Sequence, residues 1–432
     1  MSERKSIGIG LMGLGVVGSG VADILIDKAH AIAQQVGCPL ILRRALDCDI
    51  SKKRSSKIPA RIFTTDPNQV LADPGIDIVI ELIGGETDAF EYIKEALSRG
   101  KHVVTANKDV IAKHGPELLA LAARHKVDIR HEASVGGGIP IISPFKQDLL
   151  ANKISAIHAI INGTTNYIIT RMANDGLDFA TALRQAQELG YAEADPTKDI
   201  EGIDAAYKLA ILATLAFRTQ IRPEDIYREG ISRLAPRDFR YAKELGYAIK
   251  LLAIAKEENH SIQVRVHPVF IPQDLLLAKV DGVFNAIQVE GDLTGRVIFY
   301  GRGAGSLPAA SAVIADVIQL AQNIRLGLQP KPQPQFSQTR GITPISQIET
   351  RYYMRMTTAD RPGVLAQISK ILGDNLISIS SVIQKETDVA SQSAEIVLMT
   401  YPAQESAVQQ ALREIEKLPI VQEIGNLIRV ED

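Results

Sequence analysis

Residues 7–20 read Ile7-Gly-Ile-Gly-Leu-Met-Gly-Leu-Gly-Val-Val-Gly-Ser-Gly20, and this stretch decides the fold of the first third of the chain. The apolar run 7–12 predicts a strand, and residues 21–33 carry apolar side chains at helical spacing. Between the two, Gly13, Gly15 and Gly18 fall in a G-x-G-x-x-G spacing. Between a strand and a helix, the first glycine permits a tight turn, the second lets a pyrophosphate reach the backbone, and the third lets helix and strand pack closely. Free N–H groups and the dipole at the helix start then favour phosphate. Gly13, Leu14, Gly15, Val16, Val17 and Gly18 are thus candidate contacts to a dinucleotide.

Working outward, candidate strands at 40–46, 76–83, 102–105 and 127–132 alternate with helical patterns at 89–99 and 117–124. The alternation predicts an α/β fold, a doubly wound parallel sheet over residues 1–134. Right-handed crossovers place its strand ends on one edge, where cofactors bind. Residues 135–308 change character. Helical patterns at 179–189 and 204–217 mix with strands at 156–161 and 262–270, as in an α+β substrate and dimerisation domain. The helical stretch 309–328 is expected to pack back on the first domain. Residues 329–350 begin with a proline-rich run and predict an extended linker. Residues 351–432 then predict strand–helix–strand–strand–helix, the ferredoxin-like arrangement. Separated by such a linker, this tail is expected to fold by itself, so that a chain ended near Gln335 keeps a catalytic core.

The chain has 432 residues, 46% of them hydrophobic and 23% charged, which fits roughly two to three soluble domains. A formal net charge of −2 gives no field that would gather nucleic acid or an anionic membrane surface, so neither is expected as a partner. No stretch is a signal h-region or a bilayer span, and cytoplasm is the expected address. The two cysteines, Cys38 and Cys48, fit neither a metal site nor a disulfide framework.

Four further segments carry chemistry. Asp204 and Lys208, four apart in a helical pattern, share one helix face, with Glu193 in the preceding loop. A Lys ammonium beside a carbonyl that receives hydride would stabilise the developing oxyanion and donate its proton. Carboxylates would take a substrate ammonium. The spacing alone equally fits a surface ion pair. Lys108 ends a strand-like run at the cofactor edge and is a second candidate cation, or a solvated lysine at a helix start. Gly136-Gly-Gly138 permits backbone geometries that turn several carbonyls to one point, which suits a hard cation, or else forms a plain interdomain turn. Gly301-Arg-Gly-Ala-Gly305 precedes a helix and offers free N–H groups to a cofactor. Where the second strand ends, Asp47 or Asp49 could bond a ribose 2′-hydroxyl, while Lys52, Lys53 and Arg54 could meet a 2′-phosphate, so NAD and NADP both stay open.

Together, Val103-Val-Thr-Ala-Asn-Lys108, Glu132-Ala-Ser-Val-Gly-Gly-Gly-Ile-Pro-Ile-Ile142, Asn162-Gly-Thr-Thr-Asn-Tyr167, Gly190-Tyr-Ala-Glu-Ala-Asp-Pro196, Asp199 to Lys208 and Gly301 to Gly305 closely resemble homoserine dehydrogenases over residues 5–325, in order. The tail resembles an ACT domain. The resemblance implies NAD(P)-dependent interconversion of L-homoserine and L-aspartate 4-semialdehyde, on the way to threonine, isoleucine and methionine. It implies substrate binding by Glu193 and Asp204, proton donation by Lys208, and Lys108 near the reacting carbonyl. Thr105, Lys108, Gly190 and Gly303 join the fingerprint as cofactor contacts. The side chain of Glu132 and the carbonyls of Val135, Gly137 and Ile139 would hold a structural sodium-like ion. In the tail, Asp360, Gly363 and Asn375 are the candidate regulatory residues, with L-threonine the expected inhibitor, in a homodimer or homotetramer. The rival reading is a non-catalytic amino-acid sensor on the same folds. Loss of Lys208 or of the glycine fingerprint would mark it, and both are present.

Overall fold

The opening apolar run is strand β1 (Ile7–Met12), buried at every position, as befits an interior strand of an α/β sheet. The computed structural model describes residues 5–49, 57–330, 340–388 and 392–431. In it β1 lies in a parallel sheet with β2 (Leu40–Leu46), β3 (Phe63–Thr64), β4 (Ile78–Glu81), β5 (His102–Thr105) and β6 (Ile129–Arg130). The order is β3-β2-β1-β4-β5-β6, every pair parallel. Strand order reverses between β1 and β4, the switch point beyond whose carboxyl edge α/β sheets bind ligands.

This sheet belongs to the first of two units, formed by Met1–Ile154, Tyr207–Glu224 and Asn285–Thr339. Helix Ser306–Leu326 is part of it. Ala310, Val313, Val317 and Leu320 are fully buried in one cluster with Ile9, Val21, Leu25 and Ile80, so the helix packs on Val16–Asp27. Among the described residues it is the one helix long and apolar enough to cross a membrane, but its apolar face is core. Helix Lys108–Arg124 begins well before the predicted 117–124, because Asn107 caps it and Pro116 is accommodated in its interior.

The second unit comprises Ser155–Ala206, Asp225–Phe284 and Arg340–Asp432. Its strands begin with β7 (Ile154–Ile160), β8 (Tyr227–Arg228), β9 (Tyr247–Glu258) and β10 (Ser261–Pro272). The next two, β11 (Phe284–Gly291) and β12 (Gly295–Arg302), pair with each other in the first unit. Then come β13 (Glu349–Ala359), β14 (Ile379–Asp388), β15 (Ser393–Thr400), β16 (Ala403–Gln404) and β17 (Val421–Val430). Strands β9 and β10 form a hairpin turned by Asn259 and His260, at φ 49° and 65°, the left-handed pair a two-residue turn requires.

The tail has the expected βαββαβ order, with strands arranged β17-β13-β15-β14. Alternation along β13 sends Tyr352, Met354 and Met356 into a core with helices Val364–Asp374 and Glu405–Ile415. It sends Tyr353 and Arg355 to the other face. There both side chains donate to Asp238, at 3.0 and 2.7 Å, on helix Pro236–Glu244. The tail is not the separate unit the linker suggested. Strand β17 pairs in parallel with β10, Val269 opposite Arg429 and Phe270 opposite Val430. Ile342 bridges to Ile262 on the same strand. Residues 331–339, within the predicted linker, lie outside the described residues. The join is also ionic. Arg429, 1% exposed, makes a bidentate bond to Glu405 at 2.7 Å and reaches Glu229 at 2.9 Å. Glu431 pairs with Arg265 and Lys256. Burial alone would raise the Glu431 carboxyl, but a bond from His158 and then these two cations hold it well below the usual range.

Candidate active site

In the first unit, the turn after β1 uses its glycines for separate reasons. Gly13 has φ +94°, and a Cβ there would stand 2.5 Å from the Leu82 carbonyl oxygen. A Cβ on Gly18 would strike the Gly13 carbonyl. Gly15 faces open space and no side chain caps helix Val16–Asp27. An open glycine at an uncapped helix start suits a pyrophosphate, so the residues fit the dinucleotide the fingerprint implies. Asp47 has another task than the ribose contact considered for it. It is 8% exposed, and its carboxylate accepts from Leu14 N–H at 2.9 Å and Asp49 N–H at 3.0 Å. It therefore holds the fingerprint turn from within. Lys52, Lys53 and Arg54 lie outside the described residues.

The same carboxyl edge carries the ends of β4 and β5. Thr105 is fully buried; its hydroxyl donates to Glu81 Oε2 at 2.6 Å and accepts from Asn107 N–H at 2.9 Å. Its one donor and one of its two acceptor sites are thus used within the protein. Asn107 caps helix Lys108–Arg124 by accepting from Asp109 and Val110 N–H, and its amide donates to Gly85 O at 2.7 Å. Lys108 is thereby set at the first turn of that helix, half-buried. Burial pushes the Glu81 carboxyl up, against bonds from Thr105, Ile83, Gly84 and Asn107 that pull it down. Sequence reading passed over Glu81, which looked like one more strand residue. Asn107 carried a signal, an amide directly before a helix.

Beside this edge, the glycine turn 136–138 meets the loop 301–305. A Cβ on Gly137 would stand 2.4 Å from the Gly303 oxygen, and Gly138 N–H donates to Arg302 O at 3.2 Å. Ser306 donates to Val16 O at 2.8 Å, so Gly303 is brought close to the fingerprint helix. The Glu132 carboxylate accepts from Ile141, Ile142 and Ser143 N–H at 2.6, 2.8 and 2.7 Å. Of its roughly four lone-pair sites one is left. With the carbonyls of Val135, Gly137 and Ile139 that makes an oxygen-only donor set, which fits a monovalent cation. Among the described residues, no three His, Cys, Asp or Glu side chains cluster to hold a metal. Glu132 N–H donates to Asp316 at 2.8 Å, and burial pushes the Asp316 carboxyl up to about 6.

In the second unit, Asn162 is the organising residue. Its Oδ1 caps helix Gly163–Asp175 by accepting from Thr165 N–H at 2.8 Å. Its Nδ2 donates to Asp199 at 2.7 Å and to Asp204 at 2.9 Å. Two carboxylates thus converge on one amide, a concentration of negative charge suited to an ammonium. Asp199 was missed, since one more acid in a polar loop carries no periodic signal. Glu193 is exposed on the loop that follows helix Phe179–Glu188 and is held through its carbonyl by Gln187 at 3.1 Å. Gly190, at φ +74°, starts that loop, and Thr164 fixes it by donating to Tyr191 O at 2.7 Å. Lys208 lies one turn beyond Asp204 on helix Ile203–Phe217 and is half-buried. In the tail, Asp360 and Gly363 stand at the start of helix Val364–Asp374 and Asn375 at its end, about 16 Å away by the helical rise. Within one chain these three are not brought together.

Residues 13–132 match the family described as homoserine dehydrogenase, NAD binding domain, and residues 140–318 match homoserine dehydrogenase. A homoserine dehydrogenase of Neisseria gonorrhoeae is 43% identical over 433 residues, covering 99% of each chain. The chain belongs to the homoserine dehydrogenase family. Residues 352–420 match the ACT domain. The crystal structure of a homoserine dehydrogenase from Thiobacillus denitrificans superposes with a TM-score of 0.93 at 44% identity, over 99% of both chains. A hyperthermophilic archaeal homoserine dehydrogenase in complex with NADPH matches at 0.62 and 29% identity, over 73% of this chain and 97% of its own. The chain is accordingly an oxidoreductase with an NAD(P)-binding domain and an ACT-domain tail, and the sensor reading is set aside.

Proposed function

We propose that Glu193 and Asp204, joined by Asp199, bind the ammonium of L-homoserine or L-aspartate 4-semialdehyde, and that Lys208 handles the proton of the reacting oxygen. When bound, the nicotinamide supplies or accepts the hydride at the substrate's terminal carbon. In reduction, Lys208 gives its proton to the oxygen as negative charge builds there; in oxidation its neutral amine takes the hydroxyl proton. Lys108 is the second cation, at the start of its helix on the dinucleotide edge. Gly13 to Gly18 and Gly303 receive the dinucleotide through backbone groups, Gly190 shapes the substrate loop, and Thr105 acts through its buried hydrogen bonds. The observation that carries this reading is the Asn162 amide, which draws the Asp199 and Asp204 carboxylates together one turn before Lys208.

Further parts of the reading are that Glu132, Val135, Gly137 and Ile139 hold a sodium-like structural ion, that threonine inhibits through Asp360, Gly363 and Asn375, and that the chain acts as a cytoplasmic homodimer or homotetramer. A half-site made of Asp360 and Gly363, with Asn375 at the far end of the helix, suits an effector shared between two copies. Homoserine-dependent reduction of NAD and of NADP by the purified chain tests the core of the reading and measures cofactor preference. Reduction of neither would overturn it.

A further inference from the structure

We infer that Glu81 is the positioning residue of the dinucleotide edge, binding the turns after β1, β4 and β5 into one rim. This rests on the proposed reading of Gly13 to Gly18 and Thr105 to Lys108 as the cofactor edge. Glu81 is the last residue of β4, directly between the last residue of β1, Met12, and that of β5, Thr105. It is 0% exposed and touches no solvent. One carboxylate oxygen accepts from the Thr105 hydroxyl at 2.6 Å; the other accepts from Ile83 N–H at 2.8 Å. Each bond fixes a different wall. Thr105 passes the restraint to Asn107 N–H, and Asn107 both caps the helix that starts with Lys108 and bonds Gly85 O. The bond to Ile83 fixes the peptide that lies against Gly13, whose missing Cβ leaves room for the Leu82 carbonyl. Leu82 N–H in turn donates to Met12 O at 2.8 Å. Beyond this anchor, Gly84 and Gly85 turn at φ +78° and +74° with open space beside both, while Asn107 holds the Gly85 carbonyl. A buried carboxylate in the middle of a ligand edge is costly unless its bonds are all satisfied. Here its bonds reach the β4 and β5 turns directly and the end of β1 through the Leu82–Met12 backbone bond.

The consequence is specific to the dinucleotide. Glu81→Gln keeps size and one acceptor but sets an NH2 against the Thr105 hydroxyl or the Ile83 N–H, and Thr105→Val removes the hydroxyl donor without changing shape. For both, we expect the Kd for NADPH or NADH, read by fluorescence titration, to rise about tenfold or more, and KM for the dinucleotide to rise with it. KM for homoserine should stay within about twofold. The double variant should lose less than the sum of the two single losses, because the Glu81–Thr105 bond is lost in all three. Glu81→Asp, which retains the charge, should recover part of the affinity. A merely structural Glu81 would lower thermal stability and leave both Kd and KM unchanged, and that result overturns the proposal. If Glu81→Gln does not fold, Thr105→Val and Glu81→Asp give the same readout. Binding separates the two ideas. A wild-type chain that binds dinucleotide but does not oxidise homoserine overturns the catalytic reading and leaves the Glu81 test standing on Kd; a wild-type chain that binds no dinucleotide overturns both.

Discussion

At the scale of single residues, the functional side chains divide by how their neighbours use them. Lys208 is half-buried on a helix, and its charge counts most while the oxyanion forms. Lys208→Ala should lower kcat by about 10²-fold or more with a smaller change in dinucleotide affinity, measured by steady-state kinetics. Near-normal kcat would remove the assigned role. Glu193→Gln and Asp204→Asn each remove one charge-assisted bond to the ammonium, which is worth roughly 1.5–3 kcal/mol. The kcat/KM for homoserine should therefore fall by about ten- to a hundredfold; if it holds in both variants, the ammonium binds elsewhere. These residues stand out in the sequence because they lie in ordered motifs. Glu81, Asn162 and Asp199 were given no role, since theirs come from contacts with residues distant in sequence: Thr105 for Glu81, Asp199 and Asp204 for Asn162, and Asn162 for Asp199. The bond from Leu14 N–H, in the turn after β1, to Asp47 at the end of β2 was likewise not visible in the sequence.

At the scale of elements, the glycine fingerprint, the parallel strands and the βαββαβ tail were all readable from periodicity, because each element's apolar pattern is set by its own burial. What covers a sheet's second face leaves a weaker trace. Arg355 and Tyr353 on β13 looked like ordinary strand residues, yet both close on Asp238, which is 0% exposed and also accepts from Asn426 at 2.9 Å. Asp238→Ala should cost about 3–5 kcal/mol, because it leaves the buried Arg355 guanidinium with Glu395 as its remaining carboxylate partner, at 3.3 Å. Asp238→Asn, which keeps an acceptor, should cost less. Denaturant titration of the full chain measures both, and an Asp238→Ala variant as stable as wild type would show that this ion cluster adds nothing.

At the scale of the molecule, the join of the tail to β10 changes how regulation should be probed. A chain ended near residue 330 loses the partner of Val269 and Phe270 and leaves the buried Arg265 without Glu431. Such a truncation bares a strand edge, and it should associate rather than yield a clean core. Point variants in the full chain are the better instrument. Threonine at millimolar levels should inhibit the wild type, and Asp360→Ala should retain activity while losing most of that inhibition. Inhibition unchanged in the variant and competitive with homoserine would place threonine at the substrate site; no inhibition of the wild type would leave the tail to another amino acid. Coupling of this kind needs threonine to favour a less active conformation. The continuous sheet gives it a direct route, since Arg429 and Glu431 flank the strand residue Val430 and bond to Glu229 and Arg265.

The position of β17 also bears on how the protein is made. It is the last strand of its sheet to be synthesised, yet it lies in the middle, between β10 and β13. A ribosome delivers residues in order, so the hairpin β9–β10 emerges some 150 residues before the strand that covers it. At about 5–20 residues per second, that edge waits on the order of ten to thirty seconds in a growing cell. During that interval Val269 and Phe270 lack their partner strand and Arg265 and Lys256 lack the Glu431 carboxylate; their positive charge at that edge should discourage premature association.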